Sequence, residues 1–109
     1  MATTTVDKIE RQLAENPIML YMKGSPNQPD DSRSARAVQA VLACGVKFSH
    51  VDILQNPDIR GELPKYSKLQ AFPQLWVDRK LVGGIDTISE MYETGELQTL
   101  LEEAAAKRG

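Results

Sequence analysis

The sequence predicts an α/β fold in which a mixed four-stranded sheet is flanked by helices on both faces. Segments of helical period alternate with short apolar runs, and one of these runs, "IMLYM" (18–22), is apolar throughout. The last two runs, "PQLWV" and "LVGG", are separated only by "DRK" (78–80). A short run that is apolar on both faces reads as a buried central strand. Two runs this close read as an antiparallel hairpin.

The elements follow in order. In "TTTVDKIERQLAEN" (3–16), threonines able to cap precede Val6, Ile9 and Leu13 at helical spacing, and Asn-Pro stops the segment. "IMLYMK" is the first strand. After a Gly/Pro/Asn loop, "SARAVQAVLAC" (34–44) predicts a helix with Ala37, Val38, Val41 and Leu42 on one face, ended by Gly45 as its cap. "KFSHVDI" (47–53) alternates Phe48, His50 and Asp52 against Ser49, Val51 and Ile53, as a strand should. Pro57 and Pro64 bracket a short helix in "NPDIRGELPKY" (56–66). The hairpin comes next, and helices around "TISEMYE" and "ELQTLLEEAAAK" close the chain. The first two strands are joined through a helix and should be parallel by a right-handed crossover. Ligands of such sheets bind beyond the carboxyl ends of the strands.

With 109 residues and 41% hydrophobic content, the chain is sized for one domain spanning 1–109 with its own core. Thirteen basic and fifteen acidic side chains are intermixed, which argues against a nucleic-acid partner. "MATTTVDKIERQ" lacks the apolar core of a secretory signal, and "IMLYM" is too short to span a bilayer. The expectation is a cytoplasmic protein with no membrane association. The one cysteine, Cys44, excludes an internal disulfide or a Cys-x-x-C pair and reads as a half-buried small apolar residue, with a reactive thiol as the alternative.

Between the first strand and its helix lies "KGSPNQPDDSRSARAVQAV" (23–41), with Asp30 and Asp31 where the helix begins. Either acid can serve as an N-cap. General acid–base work would require a third positioned group, and His50, the only histidine, has no sequence reason to face this loop. A hard-cation site built from Asp30, Asp31 and Asp86 is a further option.

Lys23 closing the first strand, the "GSP" loop, "ILQNPDIR", "LPKY", "FPQLWV" and "GGID" occur in an order that resembles the monothiol glutaredoxins, a branch of the thioredoxin fold, over nearly the whole chain. The resemblance implies glutathione-linked thiol redox activity, or carriage of a [2Fe-2S] cluster, through the cysteine of a Cys-Gly-Phe-Ser motif. Laid on this chain, that motif falls on Asp31, Ser32, Arg33 and Ser34, and only the serine is retained.

The chemical consequence is direct. A helix N-terminus stabilises a thiolate and lowers its pKa. A carboxylate receives the same support but cannot form a mixed disulfide, which needs sulfur attacking sulfur. It is also a hard ligand, poorly matched to a cluster held by thiolates. No catalytic residue is therefore expected at Asp31, the cluster is expected to be lost, and a protein that would pair across it is expected to be a monomer.

The resemblance also implies a glutathione site. Lys23 matches a lysine that pairs with a glutathione carboxylate, and Arg60 an arginine that clamps the glycine end. Phe72 and Pro73 match the segment of a cis-proline whose neighbouring backbone pairs with the cysteinyl residue. Gly83, Gly84 and Asp86 match the loop holding the other end. Departures fall on Leu69 and Gln70, where the family has Trp-Pro, on Ala71 for threonine and on Ile85 for a second cysteine. The expected function is a non-catalytic module that binds glutathione, a protein partner at its loop face, or both. The alternative is a redox or cluster-carrier protein like its relatives.

Overall fold

The computed structural model describes residues 4 to 108, so Thr3 of the first predicted helix lies outside the described residues. Helix α1 (Thr5–Glu15) begins at Thr4, whose hydroxyl accepts the Asp7 N–H while the Asp7 carboxylate accepts the Thr4 N–H. This reciprocal pair satisfies two donors that a helix start leaves open. Ile9 and Leu13 are buried, whereas Val6, expected beside them, is 36% exposed. Its stripe runs out in the first turn.

Strand β1 (Ile18–Met22) is buried at every position. Its side chains alternate between two cores, as the period of a strand requires. Ile18, Leu20 and Met22 pack with Val38, Val41, Ile88, Leu97 and Leu101; Met19 and Tyr21 pack with Ile9, Leu13, Ile59, Leu63 and Trp76. Beyond β1 the chain forms a short ladder absent from the sequence reading, β2 (Gly24–Ser25) against β3 (Gln28–Pro29).

Helix α2 (Ser32–Ala43) starts two residues before the predicted segment. Its buried stripe runs Ser34, Ala37, Val38, Val41 and on to Cys44, positions i, i+3, i+4, i+7 and i+10. Leu42, one position past Val41, is turned about 100° around the axis from it and is 55% exposed, which corrects the expectation that it joins the core. Strand β4 (Ser49–Asp52) pairs parallel with β1, and Pro57 opens α3 (Pro57–Ser67).

Strands β5 (Gln74–Val77) and β6 (Lys80–Gly83) complete the sheet in the order β4-β1-β5-β6, with β5 antiparallel to both neighbours. Asp78 and Arg79 have φ of 50° and 68°, the two-residue turn whose twist suits a hairpin. Helices α4 (Ile85–Thr94) and α5 (Glu96–Arg108) follow. Helices α1 and α3 cover one face of the sheet; α2, α4 and α5 cover the other. The expected mixed four-stranded sheet with helices on both faces is thus present, with the β2–β3 ladder added. No helix among the described residues is long and apolar enough to cross a membrane.

Candidate functional site

The carboxyl end of β1 carries Lys23, whose backbone is held from two sides. Its N–H donates to Ser34 Oγ at 3.1 Å and its carbonyl accepts the Asp30 N–H at 2.9 Å. Ser34 is fully buried. The serine retained from the resembling motif therefore fastens the first turn of α2 to the end of β1. Next along the chain, the Gly24 N–H donates to Asp52 Oδ1 at 3.0 Å, an oxygen that also accepts the Leu54 N–H at 2.9 Å. Gly24 has φ +89°, and a Cβ there would lie 2.5 Å from the Gln28 carbonyl oxygen. Only glycine fits this turn.

Asp31 is the N-cap of α2. Its Oδ1 accepts the Ser34 N–H at 2.8 Å, and its Oδ2 lies 3.9 Å from Lys23 Nζ. Both side chains are about one-third exposed, so solvent screens the pair and the cap hydrogen bond is the stronger restraint. Asp30 is exposed and contributes through its backbone. Among the described residues, no group of three or more His, Cys, Asp and Glu is placed to hold a metal ion, so the arrangement of Asp30, Asp31 and Asp86 as a cation site is not assembled. His50 is exposed on β4.

A groove of about 530 Å³ opens beside this helix start. Lys23, Arg60 and Phe72, three of the expected site residues, line it together with Arg33, Lys65 and Gln70. No acidic side chain lines it. Lys65 has Glu62 at 4.0 Å, whereas Arg33 and Arg60 have no ion-pair partner among the described residues. Sequence reasoning missed Arg33 and Lys65 as members of this basic set. Their one signal was position: Arg33 at the second residue of α2, Lys65 five residues after Arg60.

Pro73, Gly84 and Asp86 lie outside the groove lining. The Phe72–Pro73 peptide bond is cis, as the resemblance implied, and Pro73 is buried. Gly84 backs onto it: a Cβ there would stand 3.5 Å from the Pro73 carbonyl oxygen. Asp86 is exposed in the first turn of α4.

The segment leading into the cis bond is fastened by a residue the sequence reading overlooked. Gln74 is fully buried, and its Nε2 donates to the carbonyls of Leu69 at 2.8 Å and Ala71 at 3.2 Å. Its Oε1 accepts the Trp76 indole N–H at 3.2 Å. One side-chain amide thus ties the departing positions 69 and 71 to the central sheet.

Cys44 is buried at the C-terminal end of α2. Burial pushes its thiol pKa up, and the charge of Glu102 adds to the effect. A thiol held protonated is a poor nucleophile and a poor ligand.

Residues 18–82 match the family model described as Glutaredoxin. The chain belongs to the glutaredoxin family. It is 65% identical over 105 residues to Glutaredoxin 4 of Escherichia coli (strain K12), covering 96% of this chain and 91% of the relative. Glutaredoxin 4 of Haemophilus ducreyi is 59% identical over 105 residues, covering 96% of this chain and 98% of the relative. In three dimensions the chain superimposes on the solution structure of reduced poplar apo GrxS14 with a TM-score of 0.80 and 34% identity, over 95% of this chain and 97% of that one. The buckwheat glutaredoxin–glutathione complex, 19% identical, shares the fold with a TM-score of 0.79 over 91% of this chain and 88% of that one. The thioredoxin/glutaredoxin fold expected from the sequence is the observed one.

Proposed function

We propose that this glutaredoxin-family chain is a glutathione-binding module that does not itself carry out thiol exchange. The observation behind this reading is the position of Asp31: its carboxylate caps α2, at the helix start where the family resemblance puts a nucleophilic cysteine. The helix end supplies the same electrostatic support to either anion. Only sulfur can open a disulfide through a mixed-disulfide intermediate.

The glutathione roles rest on the residues named from the sequence. Lys23 and Arg60, together in the groove, receive the carboxylate of the glycine end. The backbone beside cis-Pro73 pairs with the cysteinyl residue, and Gly84 and Asp86 hold the γ-glutamyl end. Support comes from the convergence of Lys23, Arg60 and Phe72 on one groove and from the glutathione complex solved for buckwheat glutaredoxin.

A [2Fe-2S] cluster does not suit the donors present. The helix start offers a hard carboxylate where such clusters take thiolates. The one cysteine lies thirteen residues along the same helix, roughly 20 Å away at ~1.5 Å of rise per residue. Without a cluster to bridge two copies, the module is a monomer, and its exposed loop face is where a protein partner would dock.

A glutathione-coupled disulfide-reduction assay tests the non-catalytic claim, with anaerobic reconstitution by iron and sulfide as its counterpart. The expected results are no turnover above the uncatalysed rate and no stoichiometric cluster absorption. Sustained turnover, or a stable cluster, would return the chain to the redox and cluster-carrier role implied by its family.

A further inference from the structure

The groove holds more positive charge than glutathione can use at that end. Four cationic side chains, Lys23, Arg33, Arg60 and Lys65, line it without an acid among them, while the glycine end of glutathione brings one carboxylate. Two of the four have a carboxylate within 4.0 Å. Lys23 has Asp31 at 3.9 Å, and Lys65 has Glu62 at 4.0 Å with the lysine side chain 77% exposed. Arg33 and Arg60 have no ion-pair partner among the described residues.

Arg33 is also misplaced for the helix that carries it. It is the second residue of α2, two residues past the Asp31 cap, in a first turn that holds no acid of its own. The positive end of the helix dipole disfavours a cation there, where an acid would be stabilising. A residue that departs from a local rule is a place to look for a functional reason. A guanidinium is suited to such a role because its planar fork receives a carboxylate through two parallel hydrogen bonds.

We infer that the groove selects a γ-glutamyl tripeptide whose carboxy-terminal residue carries a second carboxylate, with Arg33 as the specificity-determining residue. This rests on the glutathione reading and refines it. Arg60 and Lys23 take the terminal carboxylate, as they would for glutathione. Arg33 takes the additional side-chain carboxylate, which glycine lacks.

Calorimetric titration of the full chain at constant ionic strength tests this with two probes, glutathione (γ-Glu-Cys-Gly) and γ-Glu-Cys-Glu, each against the native protein and Arg33→Gln. The glutamine variant keeps a polar side chain of helix-compatible character, and its circular dichroism and melting temperature should match those of the native chain. The expected result is about tenfold tighter binding of γ-Glu-Cys-Glu than of glutathione by the native protein, the gain typical of one charge-assisted pair. In Arg33→Gln the preference should vanish, both peptides binding with equal affinity whatever uniform loss the removed charge imposes on them. Equal affinities in the native protein, or a preference that survives Arg33→Gln, would overturn the assignment and leave the glutathione reading standing. Failure of both peptides to bind would overturn the two together.

Discussion

The Asp31 carboxylate serves two partners at once: Oδ1 accepts the Ser34 N–H at 2.8 Å, and Oδ2 stands 3.9 Å from Lys23 Nζ. A built-in anion therefore sits beside the lysine that a ligand carboxylate would need. It stabilises the helix start, and under the proposed function it would compete with an incoming anion.

Asp31→Asn separates these roles. Asparagine caps a helix as well as aspartate, so folding stability should change by less than about 0.5 kcal/mol, whereas Asp31→Ala should lose about 1 kcal/mol. Urea unfolding measures both. Each substitution removes the anion that stands 3.9 Å from Lys23, a contact worth ~1 kcal/mol at this separation in water. Glutathione affinity should rise about fivefold in both variants.

Gly24→Ala should disrupt the turn that leads into α2. The new Cβ would meet the Gln28 carbonyl oxygen at 2.5 Å on a backbone of φ +89°. The expected loss is about 1–3 kcal/mol, with faster amide exchange at Asp30, whose N–H donates to the Lys23 carbonyl. A melting temperature equal to that of the native chain would contradict this reading.

The two cores were legible in outline before the structure was. The continuous apolar run of β1 announced a central strand, and the spacing of "PQLWV" and "LVGG" announced the hairpin. Pattern alone did not say that Val6 and Leu42 escape burial: Val6 continues a stripe that runs out in the first turn of α1, and Leu42 lies about 100° around α2 from Val41, beside the stripe that is covered. The β2–β3 ladder was invisible because two-residue strands have no period to read. At the site, Asp31, Lys23 and Arg60 were readable from family order. The roles of Arg33, Lys65 and Gln74 depend on distances between elements, which one-dimensional spacing does not carry.

Gln74 shows that gap in energetic terms. Replacing it with leucine leaves the Trp76 indole N–H buried without an acceptor and the Ala71 carbonyl without its donor, while the Leu69 carbonyl keeps only the Ser67 hydroxyl at 3.3 Å. The expected cost is about 2–3 kcal/mol. A blue-shifted or broadened tryptophan emission should accompany weaker glutathione binding, since the loop before cis-Pro73 loses its tether. An unchanged affinity in a folded Gln74→Leu variant would show that the tether does not matter to the site.

The pH profile follows from two groups whose shifts have opposite signs. Burial raises the Cys44 pKa in the folded state, so its contribution is fully present below the ordinary thiol value of 9.0 and is lost as pH rises above it. The hydrogen bond from Lys8 lowers the Asp58 pKa below its ordinary 3.8, so that contribution is present above this value and is lost as acid protonates the carboxylate. Chemical denaturation across pH should therefore give a plateau with falling edges. Cys44→Ala should flatten the alkaline edge, and the native thiol should react with a disulfide reagent only after unfolding.

The most direct test of the account is a titration of the ¹⁵N-labelled chain with glutathione, followed by nuclear magnetic resonance. The account predicts saturable shifts at Lys23, Arg60, Phe72 and Gly84, with Cys44 unmoved and no mixed disulfide formed when the oxidised tripeptide is used. A flat titration, or a covalent glutathione adduct on the folded protein, would contradict it.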